Sequence, residues 1–285
     1  MALLEVERSL GRAPESGSSA LDEAGFRRLA EFIWDETGIL LTAAKRPMVS
    51  ARLQRRLREL GCDTLSTYLD RALAPAEDRE RQHLIDLLTT NETFFYREPA
   101  HFAYLVSEVL PAYRGQRMRV WSAACSSGEE AYTLAMALAE VLGLRGDWSV
   151  LGTDISTRML AQAHQGLYPL ERAKHLPRLW LERYCLKGVR GQAGYILIDP
   201  RLQKRVSWDQ HNLLHPRREG APFDIVFLRN VLIYFDRAVK QRVIECLYEA
   251  LRPGGWLFIS HVESLQGLRT PLVMQRPSVF RRPPG

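Results

Sequence analysis

The residues best suited to ligand chemistry are three acids that follow two predicted strands. Glu129 and Glu130 come directly after Gly128, in the turn after the strand-like run MRVWSAA, and Asp154 ends the next such run, WSVLGTD. The carboxyl ends of neighbouring parallel strands form the edge of the sheet where open α/β proteins bind ligands. Two carboxylates in the first helical turn would repel a phosphate, whereas Asp154 stands where an acid can bind ribose hydroxyls. The pattern therefore indicates a nucleoside that carries a positive charge.

The missing glycines narrow the choice of ligand. A dinucleotide enzyme needs G-x-G-x-x-G at this turn so that backbone amides approach the pyrophosphate, and the turn SAACSSGEE has a single glycine. S-adenosylmethionine, which carries a sulfonium and an amino group, fits these residues, whereas NAD and ATP do not. Structural explanations stay open: acids in a first turn also favour the helix dipole by about 0.3–1 kcal/mol each, and Asp154 could cap the helix that begins near Ser156.

A second candidate site lies in the run TTNETFFYREPAHF, residues 89–102. Three consecutive aromatic residues, 94–96, precede Arg97 where one predicted helix ends and another begins. Arg97 can hold a carboxylate through charge-assisted hydrogen bonds of about 1.5–3 kcal/mol. The aromatic rings predict a water-poor wall beside it. An ion pair between Arg97 and Glu98, and plain interdomain packing of the rings, are the structural alternatives.

The hydrophobic periods of the chain predict two domains that position these residues. Residues 1–20 predict a flexible tail, and residues 21–88 contain short amphipathic patterns that predict an all-helical domain. Strand and helix patterns alternate over residues 89–285, which predicts an α/β domain with a mostly parallel sheet covered on both faces. Within it, GYILIDPRLQKRVSW has two strand-like runs and no helical period, so it predicts a small antiparallel β insertion at about residues 187–208.

The composition is typical of a cytoplasmic protein with an acidic partner. The net charge of +6 on 285 residues suggests nucleic acid, a membrane surface or an acidic protein as that partner. The four cysteines are scattered without a C-x-x-C pair, so free thiols in a reducing cytoplasm are expected rather than a metal site or disulfides. No secretory signal is visible, and no run approaches the ~20 apolar residues that span a bilayer. No apolar stripe is committed to self-association, so a monomer is expected.

Six segments of the chain, in order, resemble the chemotaxis receptor methyltransferases of the CheR family. They are TTNETFFYREPAHF, SAACSSGEEAYTLA, GTDIS, HNLL, FLRNVLIYF and PGGWLFISH, and the resemblance runs from about residue 21 to residue 281. It implies a class I, Rossmann-like S-adenosylmethionine-dependent methyltransferase sheet with an N-terminal helical domain and a small β insertion. It also implies a protein-glutamate O-methyltransferase that uses S-adenosyl-L-methionine, releases S-adenosyl-L-homocysteine, needs no metal, and forms receptor methyl esters for chemotaxis adaptation.

The resemblance further implies which residues form the site. Arg97 and Tyr234 would be catalytic, because both can hold the acceptor carboxylate beside the transferring methyl group. Glu129 would lie at the methionine end of the cofactor and Asp154 at its ribose. The full set implied in cofactor binding is Asn91, Thr93, Arg97, Glu129, Asp154, Asn212, Leu213, Arg229 and Asn230.

The sequence departs from the usual family pattern in two places. Cys125 and Ser127 replace the commoner Ala and Thr before the paired glutamates, and both are small enough to keep the turn. Ser260 and Val262 interrupt the usual Gly-His-Ser-Glu, so any role of His261 is left open.

The partners that the resemblance implies are the cytoplasmic helices of methyl-accepting chemoreceptors. An arginine-rich helix predicts a docking surface for their rows of glutamates, with a solvated helix face as the alternative. Its residues are Arg52, Arg55, Arg56 and Arg58. In relatives, the small β insertion can bind a receptor's C-terminal peptide as an added strand. A regulatory protein is a further candidate partner.

Two other functions remain as alternatives. The net charge of +6 would suit a nucleic-acid methyltransferase, but no Asn-Pro-Pro-Tyr-type loop is present to grip a base amine, so a nucleic-acid partner is not expected. A non-catalytic S-adenosylmethionine-binding receptor module is the second alternative. It is disfavoured because Arg97, Tyr234, Glu129 and Asp154 are all in place. An NAD-linked oxidoreductase is disfavoured by the missing glycines.

Overall fold

The computed structural model describes residues 21–74, 76–217 and 220–285. The tail predicted for residues 1–20 lies outside the described residues. The helices are α1 (Glu23–Thr37), α2 (Arg46–Leu60), α3 (Leu65–Ala72), α4 (Asp78–Leu88), α5 (Pro99–Tyr104), α6 (Glu129–Leu142), α7 (Thr157–Gln165), α8 (Arg178–Tyr184), α9 (Pro200–Gln203) and α10 (Arg237–Ala250). The strands are β1 (Met118–Ala123), β2 (Trp148–Asp154), β3 (Leu167–Pro169), β4 (Cys185–Lys187), β5 (Tyr195–Ile198), β6 (Val206–Gln210), β7 (Phe223–Leu228), β8 (Leu251–Ile259), β9 (Val273–Arg276) and β10 (Val279–Arg281). None of the described helices combines the length and the hydropathy needed to cross a membrane.

Helices α1 to α4 form an N-terminal helical region around a core of their own. Apolar residues at helical spacing, such as Leu29 on α1 and Leu53 on α2, are fully buried in that core. The side chain of Asp22 accepts a hydrogen bond from the Gly25 amide at the start of α1. The helix ends at Gly38, whose φ of 71° is a left-handed conformation that glycine adopts without strain.

A buried polar cluster joins three of these helices. Arg56 on α2 donates two hydrogen bonds to the Glu80 carboxylate on α4, at 2.9 and 2.7 Å, and the Tyr68 hydroxyl on α3 donates a third at 2.8 Å. Tyr68 is fully buried, and Glu80 is 7% exposed. The hydrogen bonds from Arg56 outweigh the effect of burial and lower the pKa of Glu80.

Arg56→Ala is expected to lower the free energy of unfolding by about 2–3 kcal/mol, because it leaves the buried Glu80 carboxylate with the Tyr68 hydroxyl alone. A depressed carboxyl pKa contributes stability above the unfolded-state value near ~4.3, and this contribution is lost as the pH falls through the folded-state pKa. Urea unfolding between neutral and acidic pH measures both effects. The variant should lose less stability than the wild type on acidification. Arg55→Ala, on the exposed face of α2, is the control, and equal stability of the two variants would contradict the prediction.

The larger sheet of the structure has seven strands, in the order β6-β2-β1-β7-β8-β10-β9. The strands from β6 to β8 in this order are parallel, and the C-terminal hairpin of β9 and β10 joins antiparallel to β8. Side chains alternate between two cores, with Val120 and Phe227 packed on the side of α6 and Trp121 and Val226 on the side of α10. A mostly parallel sheet covered on both faces confirms the predicted α/β class.

The predicted β insertion is only partly correct. A small antiparallel sheet does form, in the order β3-β5-β4, but it spans residues 167–198 rather than 187–208. The first strand-like run of GYILIDPRLQKRVSW is β5, whereas the second is β6, which pairs with β2 in the large sheet. Asp199 caps the short helix α9 and Pro200 begins it, so the chain turns away between the two runs. Val206 then enters the core beside α6.

Candidate functional site

A cleft lies between the helical region and the carboxyl ends of β1, β2 and β7. The strand order reverses between β1 and β7, and loops that diverge at such a point leave the crevice in which open α/β sheets bind ligands. The residues that follow these three strands line one side of the cleft. The connection from α1 to α2 and residues 88–97 line the other side. The carboxyl edge predicted from the sequence is therefore the candidate site.

The cleft contains every predicted catalytic and cofactor-binding residue except Glu129. Its lining includes Asn91, Thr93, Arg97, Asp154, Asn212, Leu213, Arg229, Asn230 and Tyr234. Apolar lining from the helical region, which no sequence motif indicated, comes from Ile39, Leu41 and Met48. A ligand in the cleft therefore meets both acidic and basic groups under an apolar cover.

Glu129 lies outside this lining, whereas its neighbour Glu130 lines the cleft. The Glu129 carboxylate is fully buried and pairs with Arg172, and burial raises the pKa of Glu129. Glu130 instead accepts hydrogen bonds from the Ser122 hydroxyl and from Arg229 Nε, both at 2.7 Å. Adjacent helical residues point about 100° apart, so the packing of α6 decides which of the two acids faces the cleft.

Asp154 is placed to hold hydroxyl groups. It is 6% exposed, and its two carboxylate oxygens accept hydrogen bonds from the backbone amides of Ser156, at 2.9 Å, and Ser126, at 2.8 Å. Each oxygen can accept a further bond, which suits a ribose diol. The alternative that Asp154 caps the next helix does not hold, because the Ser156 side chain caps α7 by accepting from the Met159 amide. Burial raises the pKa of Asp154.

The aromatic residues 94–96 anchor the loop that carries Arg97. Phe95 is fully buried with its ring centroid 4.9 Å from that of Tyr168 on β3, and Tyr96 stacks on Phe102 of α5 at 5.2 Å. None of the three lines the cleft. Phe95 and Tyr96 therefore fix the loop rather than form the predicted aromatic wall, and of the three rings only that of Phe94 lies beside the Arg97 guanidinium.

Arg97 lines the cleft, and among the described residues its guanidinium has no carboxylate partner. Its Nη1 donates to the Glu92 carbonyl at 2.9 Å, and the guanidinium lies 5.7 Å from the centre of the Phe94 ring. The alternative ion pair with Glu98 does not form, because Glu98 pairs with Arg229. A guanidinium has five N–H donors, so Arg97 keeps donors for a ligand carboxylate.

Arg229 joins the Arg97 loop to the sheet. Its side chain is 2% exposed, and its Nη1 donates to the Arg97 carbonyl at 2.6 Å and lies 3.5 Å from Glu98 Oε2. Its Nε binds Glu130 on the opposite side. Burial raises the pKa of Glu98, but hydrogen bonds from His101 and Ser260 and the positive charge of Arg229 outweigh burial and lower this pKa to about 2. Two carboxylates therefore hold Arg229, and Arg229 holds the backbone of Arg97.

Glu263, which sequence reasoning missed, positions the turn that carries Asn230 and Tyr234. Its carboxylate accepts hydrogen bonds from the backbone amides of Asn230 at 3.1 Å, Leu232 at 2.8 Å and Ser260 at 2.9 Å. Burial raises the pKa of Glu263 in spite of these bonds. An acid just after β8 lies at the same edge of the sheet as the cleft, and that position was the available signal.

Backbone strain is concentrated around the cleft. Five non-glycine residues of the surrounding loops have positive φ, namely Tyr96, Glu98, Ala124, Ser126 and Asn230. Such conformations cost about 1–3 kcal/mol each and persist where the surroundings enforce them, most often at functional sites.

Asn212 and Leu213 form the wall that follows β6. The Asn212 amide donates to the Glu36 carbonyl at 2.6 Å and accepts from the Leu214 amide at 3.0 Å. Both polar ends of this side chain are thus engaged within the protein, and it ties the sheet to the end of α1. Leu213 and Ile155 supply apolar surface nearby.

The four arginines predicted as a docking surface fall into two pairs. Arg52 donates to backbone carbonyls at the end of α4, and Arg56 pairs with Glu80, so both serve the interior of the helical region. Arg55 and Arg58 are exposed. Of the four arginines, Arg55, which pairs with the exposed Glu59, and Arg58 are therefore the two most accessible to a partner.

Comparison with known proteins gives consistent similarities over both parts of the chain. Residues 91–278 match the family model described as CheR methyltransferase, SAM binding domain, and residues 24–89 match CheR methyltransferase, all-alpha domain. The chain is 39% identical over 251 residues to the chemotaxis protein methyltransferase of Salmonella typhimurium, which covers 87% of this chain and 86% of that relative. It is 38% identical over 263 residues to the chemotaxis protein methyltransferase of Escherichia coli, with 92% and 91% covered.

Proposed function

The chain belongs to the CheR methyltransferase family, and from this premise we propose that it transfers the methyl group of S-adenosylmethionine to glutamate side chains of chemoreceptors. The family resemblance and the methyltransferase fold predicted from the sequence are confirmed by these matches. A glutamate methyl ester as the product, and the residues that make it, are parts of the proposal.

One observation carries the proposal. The cleft brings Asp154, a carboxylate suited to ribose hydroxyls, to the same end of the sheet as Arg97 and Tyr234, which can hold a second carboxylate. The first group suits a nucleoside cofactor, and the other two suit an acidic acceptor. Glu130 adds negative charge without a glycine-rich phosphate turn, which suits a cofactor whose charged end is cationic.

The chain's own residues contribute alignment more than acid–base chemistry. When bound, S-adenosylmethionine supplies a methyl group on a sulfonium: the acceptor oxygen forms the new O–C bond with a lone pair, and the C–S bonding pair goes to sulfur. A glutamate with a pKa near ~4.3 is ionised at neutral pH, so no general base is required. Arg97 and the Tyr234 hydroxyl would hold the carboxylate in line, which converts a bimolecular encounter into a positioned reaction.

The apolar cover of the cleft supports the same chemistry. Opposite charges disappear as the methyl group transfers, so water that stabilises those charges slows the reaction. Ile39, Leu41 and Met48 cover the cleft from the helical region. They would exclude water once the ligands fill the space beneath them.

Methyl transfer from labelled S-adenosylmethionine tests the acceptor class. The acceptors are a purified chemoreceptor cytoplasmic fragment, the same fragment with its methylatable glutamates changed to alanine, and total tRNA. Label on the first fragment alone is the expected result. Label on tRNA alone would show that the protein is a nucleic-acid methyltransferase. Tight cofactor binding without transfer to any acceptor would support the non-catalytic S-adenosylmethionine-binding module.

We also propose that Arg55 and Arg58 belong to the docking surface for acidic receptor helices. Arg55→Glu combined with Arg58→Glu is expected to raise KM for the receptor fragment about 10-fold at low salt, because exposed like charges repel and salt screens them. The dissociation constant of the cofactor should not change. Steady-state kinetics at low and high salt measure the effect. Arg178→Glu with Arg201→Glu, two exposed arginines outside the helical region, is the matched control, and an equal KM for both double variants would refute the assignment.

Three expectations about partners stay predictions. The small sheet has β3 and β4 at its edges, and a receptor's C-terminal peptide could add to such an edge as a strand. A regulatory partner and a monomeric state are the other two.

A further inference from the structure

Three side chains next to the cleft direct metal-ligand atoms at one point. Glu98 Oε2 lies 3.2 Å from His101 Nδ1 and 3.9 Å from His261 Nε2. Ligand atoms of the three residues all lie within 4.8 Å of one another. His101 is buried, Glu98 is half-buried and His261 is exposed, so the group is built into the protein and open to solvent on one side.

Ser278 lies between the two imidazoles. Its hydroxyl oxygen is 2.6 Å from the Pro277 carbonyl oxygen, 2.7 Å from His101 Nε2 and 2.9 Å from His261 Nδ1, and its single hydrogen can be donated to only one of them. With neutral imidazoles, at most one of His101 Nδ1 and His261 Nε2 therefore carries a hydrogen. His101 Nδ1 is the one within hydrogen-bond distance of Glu98 Oε2.

The nearby guanidinium of Arg229 satisfies this group poorly. Arg229 Nη1 lies 3.4 Å from His101 Nδ1 and 3.5 Å from Glu98 Oε2, and its short bond goes to the Arg97 carbonyl. Charge-assisted N–H···O bonds are usually 2.7–2.9 Å long. Among the described residues, Glu98 and the two imidazoles therefore hold at most one hydrogen between three ligand atoms, and a cation that displaces this hydrogen would gain all three ligands.

We propose that Glu98, His101 and His261 bind a divalent transition-metal ion, with Zn²⁺ as the best-suited ion. Two imidazole nitrogens and one carboxylate oxygen are a common zinc ligand set that leaves a fourth position for water. Bonds of about 2.0–2.1 Å in a tetrahedral site place ligand atoms roughly 3.3 Å apart. Glu98 Oε2 lies at nearly this distance from His101 Nδ1, 3.2 Å, and His261 Nε2, at 3.9 Å, would move closer by a small side-chain rotation. Arg229 opposes a cation, but Glu98 and Glu130 carry two negative charges against its one positive charge.

Metal binding would act on the cleft through Glu98. The Glu98 carboxylate also accepts hydrogen bonds from the Ser260 hydroxyl and the His261 amide, and it pairs with Arg229. An ion that takes Oε2 weakens the pairing with Arg229, which holds the backbone of Arg97. The ion is therefore an inhibitor rather than a cofactor, and this consequence, unlike the binding itself, rests on the proposed function.

Titration of the full chain with Co²⁺ and Zn²⁺ tests the binding directly. His261→Ala is expected to weaken binding at least about 10-fold, the scale of losses at metal sites, and His164→Ala, an exposed histidine on α7, is the matched control. Bound Co²⁺ should show d–d absorption without the thiolate charge-transfer band that cysteine ligands would give. Equal affinities for the wild type and both variants, or a thiolate band lost only on blocking the cysteines, would overturn the site.

Methyl transfer at increasing Zn²⁺ separates the two parts of the inference. Inhibition of the wild type and of His164→Ala, with about 10-fold weaker inhibition of His261→Ala, supports the link to the cleft. Inhibition that is equal in all three proteins would contradict that link while leaving the binding result intact. A chain that transfers no methyl group at all contradicts the proposed function, and the cobalt spectra still decide the metal site.

Discussion

Arg97→Ala is expected to lower kcat/KM for methyl transfer to the receptor fragment about 100-fold, which corresponds to about 2.7 kcal/mol of transition-state stabilisation. Arg97 is the cleft guanidinium that has no carboxylate partner among the described residues, and residues 94–96 and Arg229 hold its backbone in place. Removing this side chain should therefore abolish a preformed binding site for the acceptor carboxylate. The affinity for S-adenosylmethionine should change by about 10-fold at most, since Asp154 and the apolar walls remain.

The matched variants for this prediction are Arg97→Lys and Arg178→Ala. Lysine keeps the charge but loses the planar fork that binds a carboxylate through two parallel bonds, so its rate should fall between those of the wild type and Arg97→Ala. Arg178 is exposed on α8, and its replacement should leave the rate unchanged. An Arg97→Ala protein that methylates the receptor at the wild-type rate would remove Arg97 from the mechanism.

Asp154→Asn is expected to raise the dissociation constant of S-adenosylmethionine about 100-fold. Each carboxylate oxygen already accepts one backbone amide, from Ser156 and Ser126. An asparagine would turn one acceptor into an NH₂ group that faces a backbone N–H, so a buried donor is left unsatisfied at a cost of about 1–3 kcal/mol. The two charge-assisted bonds to ribose would weaken as well. Isothermal titration with the cofactor measures the loss, and a change below about threefold would contradict the ribose assignment.

The same residue predicts a pH dependence of cofactor affinity. Burial raises the pKa of Asp154, so protonation on acidification begins at a higher pH than for an exposed aspartate near ~3.9. On acidification, the affinity of the wild type for the cofactor should therefore begin to fall at a higher pH than the titration of an exposed aspartate would give. Asp154→Asn should show no such fall. Asp209→Asn, an aspartate on the neighbouring strand β6 paired with Arg217, is the control and should keep the wild-type profile.

The fold was predictable where one hydrophobic period persisted over a whole element. The alternation of strand and helix patterns after residue 89 indicated the parallel sheet, because apolar runs such as FDIVFL are buried on both faces. The small sheet was less predictable, since β3 and β4 are three residues each. A three-residue strand has too few positions to show a period of two. Assigning VSW to that insertion failed because these residues belong to β6, whose partner β2 lies far away along the chain.

The site was predictable at the level of residue type and strand end, and less so at the level of side-chain direction. Asp154 lies where the end of its strand placed it, whereas the choice between Glu129 and Glu130 depended on the rotation of α6. Arginine-rich spacing on α2 could not distinguish Arg56, which is turned toward Glu80, from the exposed Arg55. Glu263 and Arg229 act through backbone amides and carbonyls that only the folded chain brings together.

The central claim is that this chain makes a carboxyl methyl ester on a receptor glutamate. The most direct measurement treats the labelled receptor fragment with mild base and counts the volatile label that escapes as methanol. Release of nearly all the label, from a fragment that becomes unlabelled when its glutamates are replaced by alanine, is the predicted result. Label that stays on the protein after base treatment would show methylation of nitrogen or another group, and it would contradict the proposed chemistry of the Arg97 cleft.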